Sequence, residues 1–292
     1  MESSSSHLKL GYVFALLSAI MFGSVSAVAK PALTSIHTIL VASIVYILAA
    51  LVSTPLIREK YKPIQNRDKG LLLAIALSGA IISPVLFFEG LSDSSASDSA
   101  LLLNAEIIFS VFFALLIFRE RLPLLGYFAV GFMIIGIIIV TTDLEFSSSA
   151  FDVRNIGNLF IIGATLFWAL DNNLSKILSQ RMDAARIVQL KSAIGGSVLL
   201  LLVFVFEIPI SIEIENIPNL LILGVLGFGA SIFFFLHGLK RIGTVKTIMI
   251  FSTSSVFGLI FASAFLGEEI SSFQILAMGI ILGGFFLMYR KK

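Results

Sequence analysis

The sequence contains no cysteine, a single tryptophan and few charged residues, since Asp, Glu, Lys and Arg make up 13% of its 292 residues. Without cysteine the chain has no disulfide, no thiolate metal site and no cysteine nucleophile. The net charge is only +2, and no cluster of Lys and Arg with interleaved aromatic residues occurs, which excludes the usual nucleic-acid partner. The histidines lie far apart, and there is no phosphate-binding glycine loop or nucleophile elbow. We therefore expect neither an enzyme nor a cofactor.

Hydrophobic residues are what the chain has in excess, at 58% with a mean hydropathy of +1.03. A soluble domain could not bury that much apolar surface, whereas a bilayer can receive it. Runs of about 20 apolar residues are long enough to cross the membrane as helices, and β-barrel strands would be half as long and alternating. The runs lie near Leu10–Ala29, His37–Ile57, Gly70–Phe88, Ser99–Phe118, Leu124–Thr142, Ile156–Ile177, Ala184–Phe206, Pro218–Leu239, Thr244–Leu266 and Ser272–Tyr289. The sequence predicts an all-α integral membrane protein with ten transmembrane helices.

The basic residues predict how these helices are oriented. With the N-terminus in the cytoplasm, all but three of the 20 Lys and Arg residues fall on the cytoplasmic side. The exceptions are Lys30 and Arg154 on the other side and Lys191 inside a span. A missed or invented helix would break this alternation, so the pattern supports ten helices with both termini in the cytoplasm. The absence of a cleavage site after the first helix indicates that this helix is retained.

The two halves of the chain resemble each other. At an offset of 148, Gly79 pairs with Gly227 and Glu120 with Glu268, and the register holds over several helices. Five helices per half is an odd number, so the second half is expected to sit inverted in the membrane, around a central cavity. The predicted organisation is a cytoplasmic tail (1–9), a first five-helix repeat (10–142), an extracytoplasmic linker (143–155) and a second five-helix repeat (156–292).

Each half carries a glutamate in the turn between its fourth and fifth helices. The turns read Phe-Arg-Glu-Arg-Leu around Glu120 and Leu-Gly-Glu-Glu-Ile-Ser around Glu268, and an opening Gly…Trp pattern runs from Gly157 to Trp168. With two five-helix halves, these motifs resemble the drug/metabolite transporter superfamily, in its ten-helix EamA-like branch. The resemblance implies a cavity lined by the third, fourth, eighth and ninth helices with the first and sixth, and a role in carrying small organic solutes.

Glu106 is the most informative charged residue, because it lies well inside the fourth predicted helix. An ionisable group in a span is costly and asks for a partner or a purpose. We interpret Glu106, next to Asn104, as a cavity carboxylate that binds a cationic or amino group or takes up a proton. The alternative is a carboxyl group hydrogen-bonded for packing.

The sixth helix adds further polar candidates. Asp171 and Lys191 are each ten residues from Arg181 in the connecting turn, so they are expected at similar depth and could form a structural ion pair. Trp168 and Asn172 have i, i+4 spacing and share a helix face. Trp168 could stack on a substrate, or it could serve ordinary helix packing or act as an interfacial anchor.

A run of four hydroxyl residues interrupts the ninth helix. Such side chains often bond to their own backbone, but four in a row must present some to the interior. The predicted substrate-binding set is therefore Glu106, Asn104, Trp168, Asn172, Ser252, Ser254 and Ser255.

Four residues near helix ends complete the candidates. Glu89 and His237 occupy repeat-related positions and could protonate as gates, or they could simply be solvated. Glu120 and Glu268 are expected to cap the N-terminus of the helix that follows each of them.

These patterns predict a secondary transporter, an exporter or facilitator, of small polar organic metabolites such as amino acids, working by alternating access in the plasma membrane. The predicted partners are a small-molecule substrate and membrane lipid, and both a monomer and a homodimer stay open. Drugs or quaternary amines, lipid-like solutes and phosphorylated solutes are alternative cargoes. A channel or a membrane scaffold is the alternative of another class.

Overall fold

The computed structural model describes residues 2–57, 64–117, 124–142, 153–242, 247 and 250–289. Within these ranges the regular structure is helical throughout and includes no β-strand. Glu120 and most of the predicted linker, residues 143–152, lie outside the described residues. The helices are α1 (Glu2–Ala32), α2 (Thr38–Ser53), α3 (Asn66–Asp93), α4 (Ala96–Ile117), α5 (Leu124–Thr142), α6 (Val153–Leu178), α7 (Ala184–Val205), α8 (Ile217–Leu221, Ile222–Ala230 and Ser231–Ile242 in succession), α9 (Ser254–Leu266) and α10 (Ser272–Tyr289).

Seven helical segments in the described part of the chain are long and apolar enough to cross a membrane. They lie in α1 to α5, α7 and α8, and shorter apolar helices cover Ser254–Leu266 and Ser272–Gly284. The helices follow the predicted apolar runs, although α1 begins at Glu2 instead of Leu10. The number of ten crossings stays a prediction.

The helix connections gather at two ends of the bundle. At one end, which we call the Lys30 end, the Lys30 ammonium donates to the carbonyl oxygens of Leu91, Ser92 and Ser94 at 2.8, 2.9 and 2.6 Å. In the described part of the chain the α1–α2, α3–α4, α7–α8 and α9–α10 connections lie at this end, where Asn216 donates to Ser35 and Glu268 accepts from Ala96, and the α6–α7 turn lies at the opposite one. At that opposite Asp68 end, Arg181 from the α6–α7 turn forms a 2.8 Å ion pair with Asp68 at the start of α3.

Contacts between helices follow a twofold pattern that exchanges the two halves. Helix α1 packs on α8 and α9, just as α6 packs on α3 and α4. Helix α2 contacts α7 and α8, and correspondingly α7 contacts α2 and α3. Helices α5 and α10 pair mainly with each other. Each half therefore completes its packing with the other half.

The interruptions in the helices are also repeated. A π-helical segment occupies Ser78–Ile82 in α3, and another occupies Ile222–Ala230 in α8. A turn at Leu103-Asn104 divides α4 into Ala96–Leu102 and Ala105–Ile117, and a turn at Ser252-Thr253 precedes α9. At the sequence offset of 148, the first π-helical segment maps onto 226–230, inside the second one, and the turn in α4 maps onto 251–252, one residue before the turn that precedes α9. In membrane proteins built from two repeats, interruptions at corresponding positions point to the region in which a site is to be sought.

Candidate functional site

Glu106 lies in the first turn after the interruption of α4. The Asn172 side-chain amide on α6 donates a hydrogen bond to the Glu106 carboxylate. Glu106 is partly buried and Asn172 is exposed, whereas Asp171 and Asn173 on either side of Asn172 are buried. The structure therefore brings two predicted site residues together, one from each half, at an accessible position.

Asp171 and Lys191 form an ion pair between α6 and α7. The Asp171 side chain is 1% exposed and that of Lys191 is 13% exposed, so both charges are largely removed from solvent. The Ser175 hydroxyl, one helical turn after Asp171, donates a second hydrogen bond to this carboxylate at 3.0 Å. A buried ion pair with its remaining lone pairs satisfied can be tolerated in a membrane interior.

Trp168 is 8% exposed and packs against aromatic rings of other helices. Its ring centroid is 5.4 Å from that of Phe87 and 6.4 Å from that of Phe228. Its indole N–H donates to the Gly79 carbonyl at 3.1 Å and lies 3.3 Å from the Tyr46 hydroxyl, which itself donates to the Gly79 carbonyl at 2.8 Å. The ring thus supports the π-helical segment of α3 from within the core.

Tyr46 is a residue that sequence reasoning missed. It is 4% exposed and lies on α2, in an otherwise apolar run. A tyrosine hydroxyl buried at this depth requires a hydrogen-bond partner, and that requirement is the signal that could have identified it.

Asn104 and the hydroxyl residues around Ser255 lie at the two turns that interrupt the helices, and their side chains bond to the backbone there. The Asn104 amide donates to the Leu101 carbonyl at 3.0 Å, and the Asn104 side chain is buried. The Ser255 hydroxyl donates to the Ser252 carbonyl at 3.1 Å, and both serines are buried. Ser254 is partly buried, and its carbonyl oxygen faces Gly23 of α1. Asn104 and Ser255 thus bond to backbone atoms of their own helices, and the described hydrogen bonds do not join them to Glu106.

Glu89 and His237 lie at opposite ends of the bundle. The Glu89 carboxylate is exposed at the Lys30 end and accepts a 2.8 Å hydrogen bond from Thr38. The His237 ring lies near the Asp68 end, with Nδ1 2.9 Å from the Phe233 carbonyl oxygen. Neither residue belongs to the Glu106 cluster, so their gating role stays a prediction.

An apolar groove of about 540 Å³ lies on the α5–α10 pair, away from these polar residues. It is lined by residues such as Phe132, Ile275 and Leu276, together with glycines of α10. No group of three or more His, Asp or Glu side chains with metal-binding geometry occurs in the part of the chain that the structure describes.

The EamA-like transporter family matches the chain twice, over residues 9–142 and 155–290. An uncharacterized transporter of Methanothermobacter thermautotrophicus is 32% identical over 294 residues, covering 96% of this chain and 86% of the relative. An uncharacterized transporter of Clostridium kluyveri is 23% identical over 294 residues, covering 98% of this chain and 94% of that relative.

A solved crystal structure has a similar fold. It superposes with a TM-score of 0.64 at 16% identity, covering 97% of this chain and 96% of the other. At that identity the likeness concerns the fold alone. The family match across both halves and the 32% identical relative show the family directly. This chain belongs to the EamA-like transporter family, whose members are multi-pass membrane proteins.

Proposed function

We propose that this protein is a secondary transporter, an exporter or facilitator, of small polar organic metabolites such as amino acids and related compounds. It works by alternating access in the plasma membrane, with ten crossings and two inverted halves that rock around a central site. The exchange pattern of the helix contacts supports two equivalent halves. Among the described residues, Arg67, Lys69, Lys176, Arg181 and Arg186 lie in or beside the helix ends at the Asp68 end, which supports a cytoplasmic location for that end and for both termini.

The observation that carries the proposal is the Glu106–Asn172 pair. A carboxylate that is partly buried within a membrane bundle is costly unless it faces a polar space or a partner. Next to the exposed Asn172 amide, this carboxylate offers a charged acceptor and a neutral donor to a solute. A protonated amino group on a small metabolite matches the carboxylate.

The charges around this pair favour a cationic group on the solute. Lys191 is already engaged by Asp171, whereas no basic side chain is bonded to Glu106 among the residues that the structure describes. One negative charge is therefore left for a proton or for a substrate ammonium group to balance. The same imbalance favours quaternary amines as the second candidate class, because their positive charge can balance the carboxylate and they carry no N–H group that needs an acceptor.

Counterflow in proteoliposomes tests this function. Purified protein would be assayed with labelled amino acids, quaternary amines and sugar phosphates, with Glu106→Gln as the site variant. The exposed Glu213, in the α7–α8 connection, provides the control Glu213→Gln. We expect saturable counterflow of an amine-bearing class that Glu106→Gln abolishes and Glu213→Gln preserves.

The other outcomes separate the alternatives. Saturable counterflow that Glu106→Gln leaves unchanged would remove Glu106 from the site. Conductance without saturation by any solute would favour a channel. Absence of flux for every class, with both proteins folded, would overturn transport of small polar metabolites.

A further inference from the structure

Glu268, in the connection between α9 and α10, caps a helix of the other half. Its carboxylate accepts hydrogen bonds from the backbone N–H groups of Ala96 and Ser97 at 2.8 and 2.9 Å. It also accepts one from the Ser97 hydroxyl at 2.7 Å. The expectation that Glu268 caps the following helix is therefore wrong: this carboxylate belongs to the first turn of α4.

The start of α10 is capped by its own residues and then tied to α4. The Ser271 hydroxyl accepts from the Gln274 N–H at 3.1 Å, and the Gln274 side chain accepts from the Ser271 N–H at 3.0 Å, which is a capping box. The Gln274 amide then donates to Ser97 at 3.0 Å and to Asp98 at 2.7 Å. We call Glu268, Gln274, Ser97 and Asp98 the Glu268 latch.

The latch lies where α4 is most tightly packed. All seven residues of Ala96–Leu102 are buried. The hydroxyls of Ser26 on α1 and Ser99 lie 3.0 Å apart, and Ala100 contacts Gly258 of α9 so closely that position 258 has no room for a Cβ. The segment of α4 between Glu106 and the Lys30 end is therefore closely packed against α1 and α9.

The other half of α4 has the opposite character. No residue from Glu106 to Ile117 is buried, and all of them lie in the described part of the chain. These residues span more than three helical turns, so the unburied positions include every face of the helix. Ser110 and Phe112, two residues apart, point to nearly opposite sides, yet both are accessible. One face can contact lipid, and the accessible residues on the opposite face are those that an aqueous space between Glu106 and the Asp68 end would leave uncovered.

We infer that this structure is the state in which the site opens to the Asp68 end, and that the Glu268 latch keeps the Lys30 end closed. For the site to open towards the Lys30 end, α4 must separate from the α9–α10 connection and these hydrogen bonds must break. Glu268 is thus a positioning residue that governs access without touching substrate. The inference rests on the proposed alternating access.

Thiol labelling tests the latch, because the chain has no native cysteine. Ser99→Cys reports the closed path, since Ser99 is fully buried, and Ser110→Cys reports the open one. Exposed markers Glu89→Cys and Asn66→Cys identify which membrane side each end faces. A membrane-impermeant thiol reagent would be added to right-side-out and inside-out vesicles without any substrate.

We expect slow labelling of Ser99→Cys, and labelling of Ser110→Cys from the side that labels Asn66→Cys. Adding Glu268→Gln places an amide N–H₂ group against backbone donors, so Ser99→Cys labelling from the Glu89 side should accelerate at least fivefold. The adjacent exposed Glu269 supplies the control, Glu269→Gln, which should leave the rate unchanged. If Glu268→Gln impairs folding, Gln274→Ala removes the bonds to Ser97 and Asp98 and should act in the same direction.

Unchanged Ser99→Cys labelling in a folded Glu268→Gln or Gln274→Ala protein would overturn the latch. Labelling of Ser110→Cys from the Glu89 side would overturn the assigned opening. These results need no transport activity. A latch that shifts labelling in a protein without counterflow would therefore reject the proposed substrate class while supporting the latch.

Discussion

Asn172 on α6 donates its side-chain amide to the Glu106 carboxylate on α4, so a hydrogen bond joins the two halves of the chain inside the bundle. Helix α4 belongs to the first repeat and α6 to the second. If the halves rock against each other, the distance between Asn172 and Glu106 should change with that motion. Whatever solute approaches Glu106 also meets the exposed Asn172 amide.

Replacing Asn172 with alanine should weaken substrate binding. A hydrogen bond to a charged group contributes about 1.5–3 kcal/mol, and 1.4 kcal/mol corresponds to about tenfold in affinity. We therefore expect Asn172→Ala to raise the half-saturation concentration of counterflow at least about tenfold. Asn66→Ala, at an exposed position at the start of α3, is the control. A half-saturation concentration equal to that of the unmodified protein would exclude Asn172 from binding.

Losing either member of the Asp171–Lys191 ion pair should destabilise the protein more than losing both. Removing one partner of a buried ion pair leaves an uncompensated charge and costs about 3–5 kcal/mol, whereas removing both can be nearly neutral. Asp171→Asn and Lys191→Met should each lower the thermal unfolding temperature in detergent, and the double variant should recover most of the loss. Additive losses in this double-mutant cycle would contradict coupling between the two side chains.

Gly79 should not tolerate a side chain, because a Cβ at this position would overlap the Asp171 carboxylate. Overpacking of this kind costs about 1–3 kcal/mol. Gly131 in α5 is the matched control, since a Cβ there would meet no atom within 4 Å. Gly79→Ala should therefore lower the unfolding temperature while Gly131→Ala leaves it unchanged or raises it. Equal behaviour of the two variants would contradict the close contact between α3 and α6.

Much of the architecture could be predicted from the sequence, because a helix that crosses a membrane requires a long run of apolar residues. The depth of Asp171 and Lys191 also followed from their equal distance to Arg181, and the structure brings those two residues together. The bond between Asn172 and Glu106 did not follow, because hydropathy gives the depth of a residue and not its rotation about the helix axis.

The remaining differences come from contacts between distant parts of the chain. The π-helical segments are rare changes in the backbone hydrogen-bond register, and the apolar runs that predict the helices give no signal for where these changes occur. Glu268 could be predicted to cap a helix, but its partner residues Ala96 and Ser97 are about 170 positions earlier. Sequence spacing favoured α10, the next helix in the chain. In the folded protein the N-terminus of α4 lies within hydrogen-bond distance of Glu268 instead.

Trp168 is the only tryptophan in the sequence, so the tryptophan fluorescence of the protein reports on this one position. The ring is buried against Phe87 and Phe228, and its N–H is bonded to Gly79. An aqueous quencher should therefore reach it poorly in the folded protein. Because the Tyr46 hydroxyl also donates to the Gly79 carbonyl, Trp168→Phe leaves that carbonyl satisfied and loses mainly one hydrogen bond and some packing.

We expect Trp168→Phe to lower the free energy of unfolding by about 1–2 kcal/mol, the range for one hydrogen bond plus modest repacking. The half-saturation concentration of counterflow should stay within about twofold, because a change at one buried supporting ring leaves Glu106 and Asn172 in place. Stacking of the ring on substrate predicts the reverse: little change in stability and a marked loss of affinity. Thermal unfolding and counterflow measured on the same preparation distinguish the two roles, and Phe87→Leu, which alters the same packing without removing the indole, calibrates the stability effect.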